Sequence, residues 1–139
     1  MGELDGQVAV VTGGSAGIGR ATALAFGRAG ASVVVADQAA DRGEQTVAAI
    51  EALGVRALFV ATDVSDPAEV DRLMGRAMHE FGRIDHAFNN AGIEGDQAMT
   101  GDATIENWNR VIAVNLTGVW LCLRGELEVM AAQGSGSVV

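Results

Sequence analysis

The sequence predicts an open, doubly wound parallel α/β sheet of about five strands, ordered 3-2-1-4-5 and covered by helices on both faces. Short apolar runs rich in β-branched residues alternate with longer segments of helical periodicity through all 139 residues. The first apolar run ends at a cluster of glycines, a composition typical of a sharp turn from strand to helix. Because runs that are apolar at every position are buried on both faces, the strands are predicted to be parallel, in one domain over residues 1–139.

The five predicted strands are short apolar segments that alternate with the helices. They are Val8–Thr12, Ser32–Ala36, Arg56–Thr62, Ile84–Asn89 and Ser137–Val139. A turn over residues 134–136 precedes the last strand. Right-handed crossovers between consecutive parallel strands give the predicted strand order.

The four predicted helices carry start and stop signals. They are Ile18–Ala29, Asp41–Leu53, Pro67–Phe81 and Thr104–Gln133. A glycine follows each of the first three, as is common where a helix ends. Asp66 precedes Pro67 as an N-cap, and Thr104 is the predicted N-cap of the long last helix. The polar, glycine-bearing segment 92–102 is predicted to be a loop.

The charge of the chain argues against binding to nucleic acid or to a membrane. The formal net charge is -9, and all nine basic residues are arginines. An acidic chain repels phosphate backbones, so nucleic-acid binding is not expected. No basic amphipathic stretch indicates a membrane surface, and no apolar run reaches the roughly 18 residues that a membrane span needs.

The cysteine and histidine content excludes an internal disulfide and indicates no metal site. Cys122 is the only cysteine, which fits a reducing, cytoplasmic location, and we read it as a core residue. Residues 1–6 are acidic and lack the basic region of a secretory signal. His79 and His86 are separated from Cys122 and from each other in a way that gives no metal-ligand spacing.

The glycine cluster after the first strand is the first candidate binding element. In the sequence T-G-G-S-A-G-I-G, Gly13 permits the turn, Gly17 allows close approach of a pyrophosphate, and Gly19 lets the helix pack near the strand. The following helix offers free N–H groups and a partial positive charge to phosphates, and Ser15 is predicted to hydrogen bond to a phosphate. The spacing is G-x-x-x-G-x-G instead of G-x-G-x-x-G, so a tight turn without a ligand is the alternative.

Asp37, at the end of the second predicted strand, is the candidate ribose-binding acid. It lies 18 positions after Gly19, close to the ~20 expected for a carboxylate that accepts hydrogen bonds from ribose hydroxyls. Its charge would repel the 2′-phosphate of NADP, and the neighbouring Gln38 offers no compensating cation, so NAD is the predicted cofactor. Arg42, one helical turn further on, leaves NADP as a less favoured possibility. The alternative role for Asp37 is that of a helix cap.

With these motifs in place, the sequence resembles the short-chain dehydrogenase/reductase family. The glycine turn is the first match, and its cofactor-binding positions here are Gly13, Ser15, Gly17, Ile18 and Gly19. Asp63-Val64, after the third strand, is the second match, and the family places this acid beside the adenine. The third match is Asn89-Asn90-Ala91-Gly92, after the fourth strand. In the family this segment steadies the sheet, and Asn90, Ala91 and Gly92 border the cofactor.

Asn115, in V-N-L-T-G, is the fourth match and the one catalytic candidate. In the family this asparagine holds a water in a proton relay. A tyrosine whose pKa is lowered by a lysine moves the proton, and a serine orients an alcohol or carbonyl substrate. This chain contains no tyrosine and no lysine, and it covers only a little over half of a typical member. The resemblance therefore implies an NAD-binding half that is inactive unless the missing part is supplied.

The long last helix carries more apolar surface than one face of the sheet covers. Its apolar residues are Val111, Val114, Val119, Trp120, Leu121, Leu123, Leu127 and Met130. In the family this helix packs against a partner subunit. In this chain the fifth strand would also be an open edge, so a homo-oligomer is predicted. Trp108 and Trp120 are predicted to be packing residues.

Three functional interpretations remain open from the sequence. The first is an NAD-dependent oxidoreductase represented by its cofactor-binding part. The second is a stand-alone dinucleotide-binding module without catalysis. The third is an assembly module with a degraded cofactor site, which the intact motifs disfavour. A methyltransferase with a similar sheet is disfavoured by the N-N-A-G segment and Asn115.

Overall fold

The computed structural model describes residues 2–139 and contains one five-stranded parallel sheet. The strands are β1 (Val8–Thr12), β2 (Ser32–Asp37), β3 (Ala57–Ala61), β4 (His86–Asn89) and β5 (Ser137–Val138). Their order across the sheet is β3-β2-β1-β4-β5, which confirms the predicted order and the Rossmann-like fold class. All four strand pairs are parallel.

The helices cover both faces of this sheet. They are α1 (Gly17–Arg28), α2 (Ala40–Glu51), α3 (Pro67–Phe81), α4 (Ile105–Ile112) and α5 (Val119–Gln133). Helices α1 and α2 pack together on one face, and α3 and α5 pack together on the other.

The strand residues alternate between two cores, because successive side chains of a strand point to opposite faces. Val11, Val33 and Val35 belong to the core beneath α1 and α2. Val10 and Val34 belong to the core beneath α3 and α5. All five side chains are fully buried, so the two apolar layers fix the sheet between the helices.

The predicted helix caps are confirmed at α3 and α4. The side chain of Asp66 accepts a hydrogen bond from the N–H of Ala68, directly before Pro67. Gly82 ends α3 with a positive φ of 75°. The hydroxyl of Thr104 accepts a hydrogen bond from the N–H of Asn107 at 3.1 Å and so caps α4. Several element boundaries shift by one or two residues from the prediction, and the two-residue shifts are at the start of β4, at His86 instead of Ile84, and at the end of α2, at Glu51 instead of Leu53.

The long helix predicted over Thr104–Gln133 is not a regular α-helix. Its middle, Ala113–Gly118, is a π-helical segment between α4 and α5. Such wide turns are rare and occur frequently at functional sites. Gly118 ends the segment close to the sheet, where an added Cβ would lie 2.7 Å from Cγ2 of Val64. Periodicity did not predict the π turn, because one inserted residue hardly changes an apolar pattern.

The prediction that Trp108 and Trp120 are packing residues is wrong for the described part of the chain. Their exposed fractions are 66% and 55%, because both lie on the outward side of α4 and α5. Within residues 2–139, no helix has the length and apolar character needed to cross a membrane. The same residues contain no cluster of three metal-ligating side chains.

Candidate functional site

The candidate site is a cleft at the carboxyl ends of the strands, where the strand order reverses: β2 and β3 lie on one side of β1, and β4 and β5 lie on the other. Ligands of open α/β sheets bind at this point of the topology. The cleft is lined by Gly13, Ala36, Asp37, Gln38, Thr62, Val64, Ala91, Gly92, Ile93 and Val114. Five of these residues were predicted from the sequence: Gly13, Asp37, Val64, Ala91 and Gly92.

The glycine turn between β1 and α1 has the backbone shape that its sequence predicts. Gly13 and Gly17 have φ values of +65° and +53°, a region that favours glycine. A Cβ at Gly19 would lie 2.1 Å from the carbonyl oxygen of Gly13, so only glycine lets α1 start this close to β1. The side chain of Ile18, in the same turn, is largely exposed beside the cleft.

The N-terminus of α1 presents backbone donors without protein acceptors. The residue before the helix is Ala16, which has no side chain that can cap it, and the first turn contains no acidic residue. The first helical hydrogen bond is donated by Arg20, to the carbonyl of Ala16. The N–H groups of Gly17, Ile18 and Gly19 therefore have no acceptor among residues 2–139. Together with the helix dipole, they form a site suited to an anion.

Asp37 lines the cleft beside the glycine turn, at the end of β2. Its Oδ2 accepts hydrogen bonds from the Ser15 hydroxyl at 2.6 Å and from the Ser15 N–H at 3.1 Å. Its Oδ1 accepts from the N–H of Ala39 at 3.1 Å. Burial alone would raise the pKa of Asp37, but these hydrogen bonds outweigh it and hold the pKa below its usual value. Asp37 is therefore ionised at neutral pH.

The side chain of Ser15 is buried, and its hydroxyl donates to Asp37. Ser15 therefore links the glycine turn to the carboxylate at the end of β2. Its contact with a phosphate stays a prediction.

Asp63 and Val64 follow β3 at the wide end of the cleft. Oδ1 of Asp63 accepts from both the N–H and the hydroxyl of Ser65, at 2.9 and 2.6 Å. Its Oδ2 makes no hydrogen bond with any residue of the described chain and borders two hollows beside the cleft. Val64 is buried and lines the cleft floor.

Asn90 and Ala91 tie β4 to the glycine turn. Their N–H groups both donate to the hydroxyl oxygen of Thr12, at 3.0 Å each. The Asn90 side-chain amide donates to the carbonyls of Thr12 and Gly13 at 3.2 and 3.4 Å. The side chain of Asn90 thus acts as a tether, while Ala91 and Gly92 face the cleft.

Asn115 lies in the π-helical segment, and its side chain is hydrogen bonded to the backbone of Ile93. Its Oδ1 accepts from the Ile93 N–H and its Nδ2 donates to the Ile93 carbonyl, both at 2.8 Å. These two hydrogen bonds fix the chain just after the N-N-A-G segment. The second N–H of Nδ2 and the second lone pair of Oδ1 are not used by these two bonds.

The loop after Gly92 is also fastened to α4. Asn107 accepts from the Asp96 N–H at 2.7 Å, and Arg110 forms an ion pair with Asp96 at 3.0 Å. The loop contains one short 3-10 turn, Thr100–Asp102, and its residues are mostly exposed. The loop therefore forms one wall of the site. Its first residues are attached to α4, and the rest of the loop is exposed to solvent.

Sequence reasoning missed six residues that line this cleft or organise its turns. They are Thr12, Ala36, Gln38, Thr62, Ile93 and Val114. Each of the six directly adjoins a predicted site residue in the sequence, as Thr62 precedes Asp63 and Ile93 follows Gly92. Adjacency was therefore the available signal.

Comparisons with known proteins agree with this geometry. A family model described as short chain dehydrogenase matches residues 7–139. Cis-4-hydroxycyclohexanecarboxylate dehydrogenase from Sinomonas cyclohexanicum is 44% identical over 140 residues, covering 100% of this chain and 56% of that protein. The crystal structure of levodione reductase matches with a TM-score of 0.94 at 39% identity, covering 97% of this chain and 53% of that one.

A second solved structure, of NAD+-bound xylitol dehydrogenase, matches with a TM-score of 0.95 at 31% identity. It covers 98% of this chain and 52% of that chain. The chain thus spans about half the length of the relatives it matches.

Proposed function

Because this chain belongs to the short-chain dehydrogenase family, we propose that it binds a nicotinamide dinucleotide in the cleft and prefers NAD to NADP. The observation that carries the proposal is that two groups suited to a dinucleotide lie on either side of the glycine turn. Three free N–H groups lie at the start of α1, and the ionised carboxylate of Asp37 is held by Ser15 of the same turn. The donors suit a pyrophosphate, and the carboxylate suits ribose hydroxyls. At Gly17 an added Cβ would meet no atom within 4 Å, so the start of α1 is open to a close ligand.

The preference for NAD follows from the charges at the ribose end. Both oxygens of Asp37 are already oriented by neighbouring donors, and its charge opposes a 2′-phosphate. Gln38, which lines the cleft beside it, is uncharged. Arg42 lies in an exposed hollow with Ala39 and Asp41 and is the one nearby cation that favours NADP. The NAD+-bound state of the related xylitol dehydrogenase supports the same preference.

The remaining predicted residues take roles at the two ends of the dinucleotide. The free Oδ2 of Asp63 is available to an adenine amino group, and Val64 and Val114 offer apolar surface to its ring. Ala91 and Gly92 border the path toward the nicotinamide. When bound, the nicotinamide exchanges a hydride with the carbon of an alcohol or carbonyl group. Asn115 holds the backbone around Ile93 in place at that end.

We propose that the 139-residue chain does not catalyse this reaction alone. It contains no tyrosine and no lysine, the residues that move the proton in the family. General acid–base catalysis contributes about 10²–10⁴-fold, and the residues that would position a substrate add to the deficit. We also propose that the chain is cytoplasmic. Robust turnover of an alcohol or ketone by the purified chain would overturn the claim of inactivity.

The test of cofactor binding is a titration of the purified chain with NADH and, separately, NADPH. Saturable energy transfer from Trp108 and Trp120, with a lower Kd for NADH, is the expected result. A lower Kd for NADPH would refute the NAD preference. Absence of binding by either dinucleotide would refute the site itself and favour an assembly module.

An assembly role is the second candidate, and the exposed apolar side chains of α4 and α5 favour it. These side chains are Ile105, Trp108, Leu116, Trp120 and Leu127. A partner that covers these side chains would remove apolar surface from water, which favours association. In this reading, a second copy of the chain or the remaining part of a longer protein would cover that surface.

Sedimentation over a range of concentrations tests the association. We expect concentration-dependent dimers or larger species, which Leu127→Ser reduces. Glu128→Ser changes the next, exposed position of the same helix and serves as the control. A wild-type chain that stays monomeric at high concentration would count against the assembly role.

A further inference from the structure

Glu126 is a fully buried carboxyl group that the cofactor site does not explain. It lies on α5 with an exposed fraction of 0%. Its Oε2 accepts a hydrogen bond from Nδ2 of Asn89 at 2.8 Å. Its Oε1 is buried and has no partner, and the same is true of Oδ1 of Asn89. Within residues 2–139, these are the only two buried side-chain polar atoms left unpaired.

Both unpaired atoms are acceptors, and they belong to side chains already joined by one hydrogen bond. A buried acceptor without a donor destabilises the folded chain, and an unpaired ionised carboxylate destabilises it more. A single proton on Glu126 converts one acceptor into a donor and gives the other its partner. An acid and an amide joined in this way form a ring of two hydrogen bonds, with the N–H donating in one direction and the O–H in the other.

We propose that Glu126 is protonated in the folded chain and donates its O–H to Oδ1 of Asn89, so that the pair acts as a positioning element for the end of β4. Burial is the main influence on this carboxyl and raises its pKa to about 7, against the smaller opposing effect of the Asn89 hydrogen bond. The carboxyl of Glu126 is already sealed within this chain, so its burial does not depend on a partner.

No cation among the described residues stands ready to stabilise the ionised form. On α5, Arg124 is exposed and lies over the ring of Trp120, and Glu128 is exposed. The thiol of Cys122 is buried, and its pKa is raised first by burial and then by the charge of Glu126. The π-helical segment contains no ionisable residue. On β4, His86 is directed at Gln7, and the preceding Asp85 is paired with Arg83.

The charged side chains of α3, the helix packed against α5, also point elsewhere. Glu69 accepts from the N–H of Asp63, and the others are exposed. These exposed residues are Asp71, Arg72, Arg76, His79 and Glu80. A neutral Glu126 is therefore the form that the surroundings favour.

The hydrogen-bonded pair of Glu126 and Asn89 affects the cleft because of where Asn89 lies in the fold. Asn89 ends β4, and the next two residues donate their N–H groups to Thr12 beside the glycine turn. Fixing the side chain of Asn89 to α5 thus holds the start of the segment that borders the cleft. This inference does not depend on the identity of the cofactor, since it concerns the protein without any ligand.

The substitution Glu126→Gln tests the proposal, because an amide keeps both hydrogen bonds and cannot ionise. Glu128→Gln removes the same charge from an exposed position of the same helix and is the matched control. Urea unfolding of the three chains is compared between pH 5 and pH 8.5. We expect the wild type and Glu128→Gln to lose stability together as the pH rises from 5 to about 7, because the unfolded chain has already lost the proton of Glu126 and the folded chain has not. Above about 7 this loss levels off, and Glu126→Gln shows no such loss.

Amide hydrogen exchange of Asn90 and Ala91 supplies a local measure of positioning. Their protection is expected to fall with rising pH in the wild type, after correction for intrinsic exchange, and to persist in Glu126→Gln. A carboxyl-carbon NMR titration reports the ionisation of Glu126 directly. A midpoint near the ordinary value of about 4.3 would overturn the proposal. So would a Glu126→Gln chain that fails to fold, or one whose stability follows the wild-type pH profile.

Discussion

The hydroxyl oxygen of Ser15 lies 2.6 Å from Oδ2 of Asp37, which joins the first turn of the fold to the end of its second strand. The backbone N–H of Ser15 donates to the same oxygen, and the N–H of Ala39 holds the other. The carboxylate is therefore oriented before any ligand arrives. Orientation in advance reduces the ordering cost of binding. This relationship leads to three predictions about the ribose end of the cleft.

Asp37→Ala is expected to weaken NADH binding by roughly 10–100-fold, the range that corresponds to one hydrogen bond to a charged group. It is expected to weaken NADPH binding much less, because the repulsion of the 2′-phosphate disappears. The measurement is the ratio of the two Kd values by fluorescence titration. Asp41→Asn removes the same charge from an exposed position and should leave the ratio near that of the wild type. Equal losses for both dinucleotides in Asp37→Ala would mean that the carboxylate does not discriminate between them.

Ser15→Ala is expected to reduce NADH affinity without abolishing it. Asp37 keeps two backbone donors in this variant but loses the hydroxyl, a change worth on the order of 1 kcal/mol or up to about 10-fold in Kd. Ser15→Thr keeps a hydroxyl and should recover part of the loss if the buried site admits the extra methyl group. A phosphate ligand role for Ser15 would instead weaken NADH and NADPH equally, so the ratio of the two Kd values separates the roles.

Acid unfolding gives a prediction with a defined sign. The folded-state pKa of Asp37 is lowered, so its ionised form adds stability above the unfolded-state value of about 3.9. That stability is lost as the pH falls through the lower folded-state pKa. Ser15→Ala removes one cause of the lowered pKa and should make the chain unfold at a higher pH than the wild type. The midpoint of acid unfolding by circular dichroism measures the shift, and an unchanged midpoint would contradict the prediction.

The fold was predictable because its strands and turns carry strong local signals. The runs around Val10 and Val34 are apolar at every position, and the glycine turn places β1 directly before α1. Local pattern also predicted Asp37, because a carboxylate at that distance from Gly19 is informative by itself. The family resemblance, rather than periodicity, supplied Asp63 and Asn115.

Features that depend on distant contacts were not predictable. The hydrogen bond from the hydroxyl of Ser15 to Asp37 was not predicted, because the two residues are 22 positions apart. The pairing of Glu126 with Asn89 spans 37 residues, and a glutamate within a helix is usually a surface residue. The exposure of Trp108 depends on what packs against α4, which a helical pattern alone does not reveal.

Cys122 is expected to be unreactive in the folded chain. Burial raises the pKa of its thiol to about 12, so almost no thiolate is present at pH 8. A thiol reagent such as 5,5′-dithiobis(2-nitrobenzoic acid) should label the chain only after urea unfolds it. Rapid labelling of the native chain at pH 8 would show that α5 opens locally or packs less tightly than described.

Substituting alanine for a helical glycine is expected to lower the stability of the chain at Gly19 and to raise it at Gly75. At Gly19, the added Cβ would lie 2.1 Å from the carbonyl oxygen of Gly13 and 2.6 Å from the Asn90 side chain. Neither the backbone nor the tethered amide can move freely, so we expect a loss of stability on the order of 1–3 kcal/mol. Gly75 lies in α3 with open space around its Cβ position. There, alanine should stabilise the chain by about 0.5–1 kcal/mol through its higher helix propensity.

Urea unfolding of Gly19→Ala and Gly75→Ala, measured in parallel, checks both signs. Gly19→Ala should also bind NADH more weakly than the wild type under conditions where both chains remain folded. The reason is that the clash displaces α1 from β1 and moves the free N–H groups of its first turn. Unchanged affinity in a folded Gly19→Ala chain would mean that the start of α1 is not where the dinucleotide binds. Gly75→Ala should leave affinity unchanged, because α3 does not line the cleft.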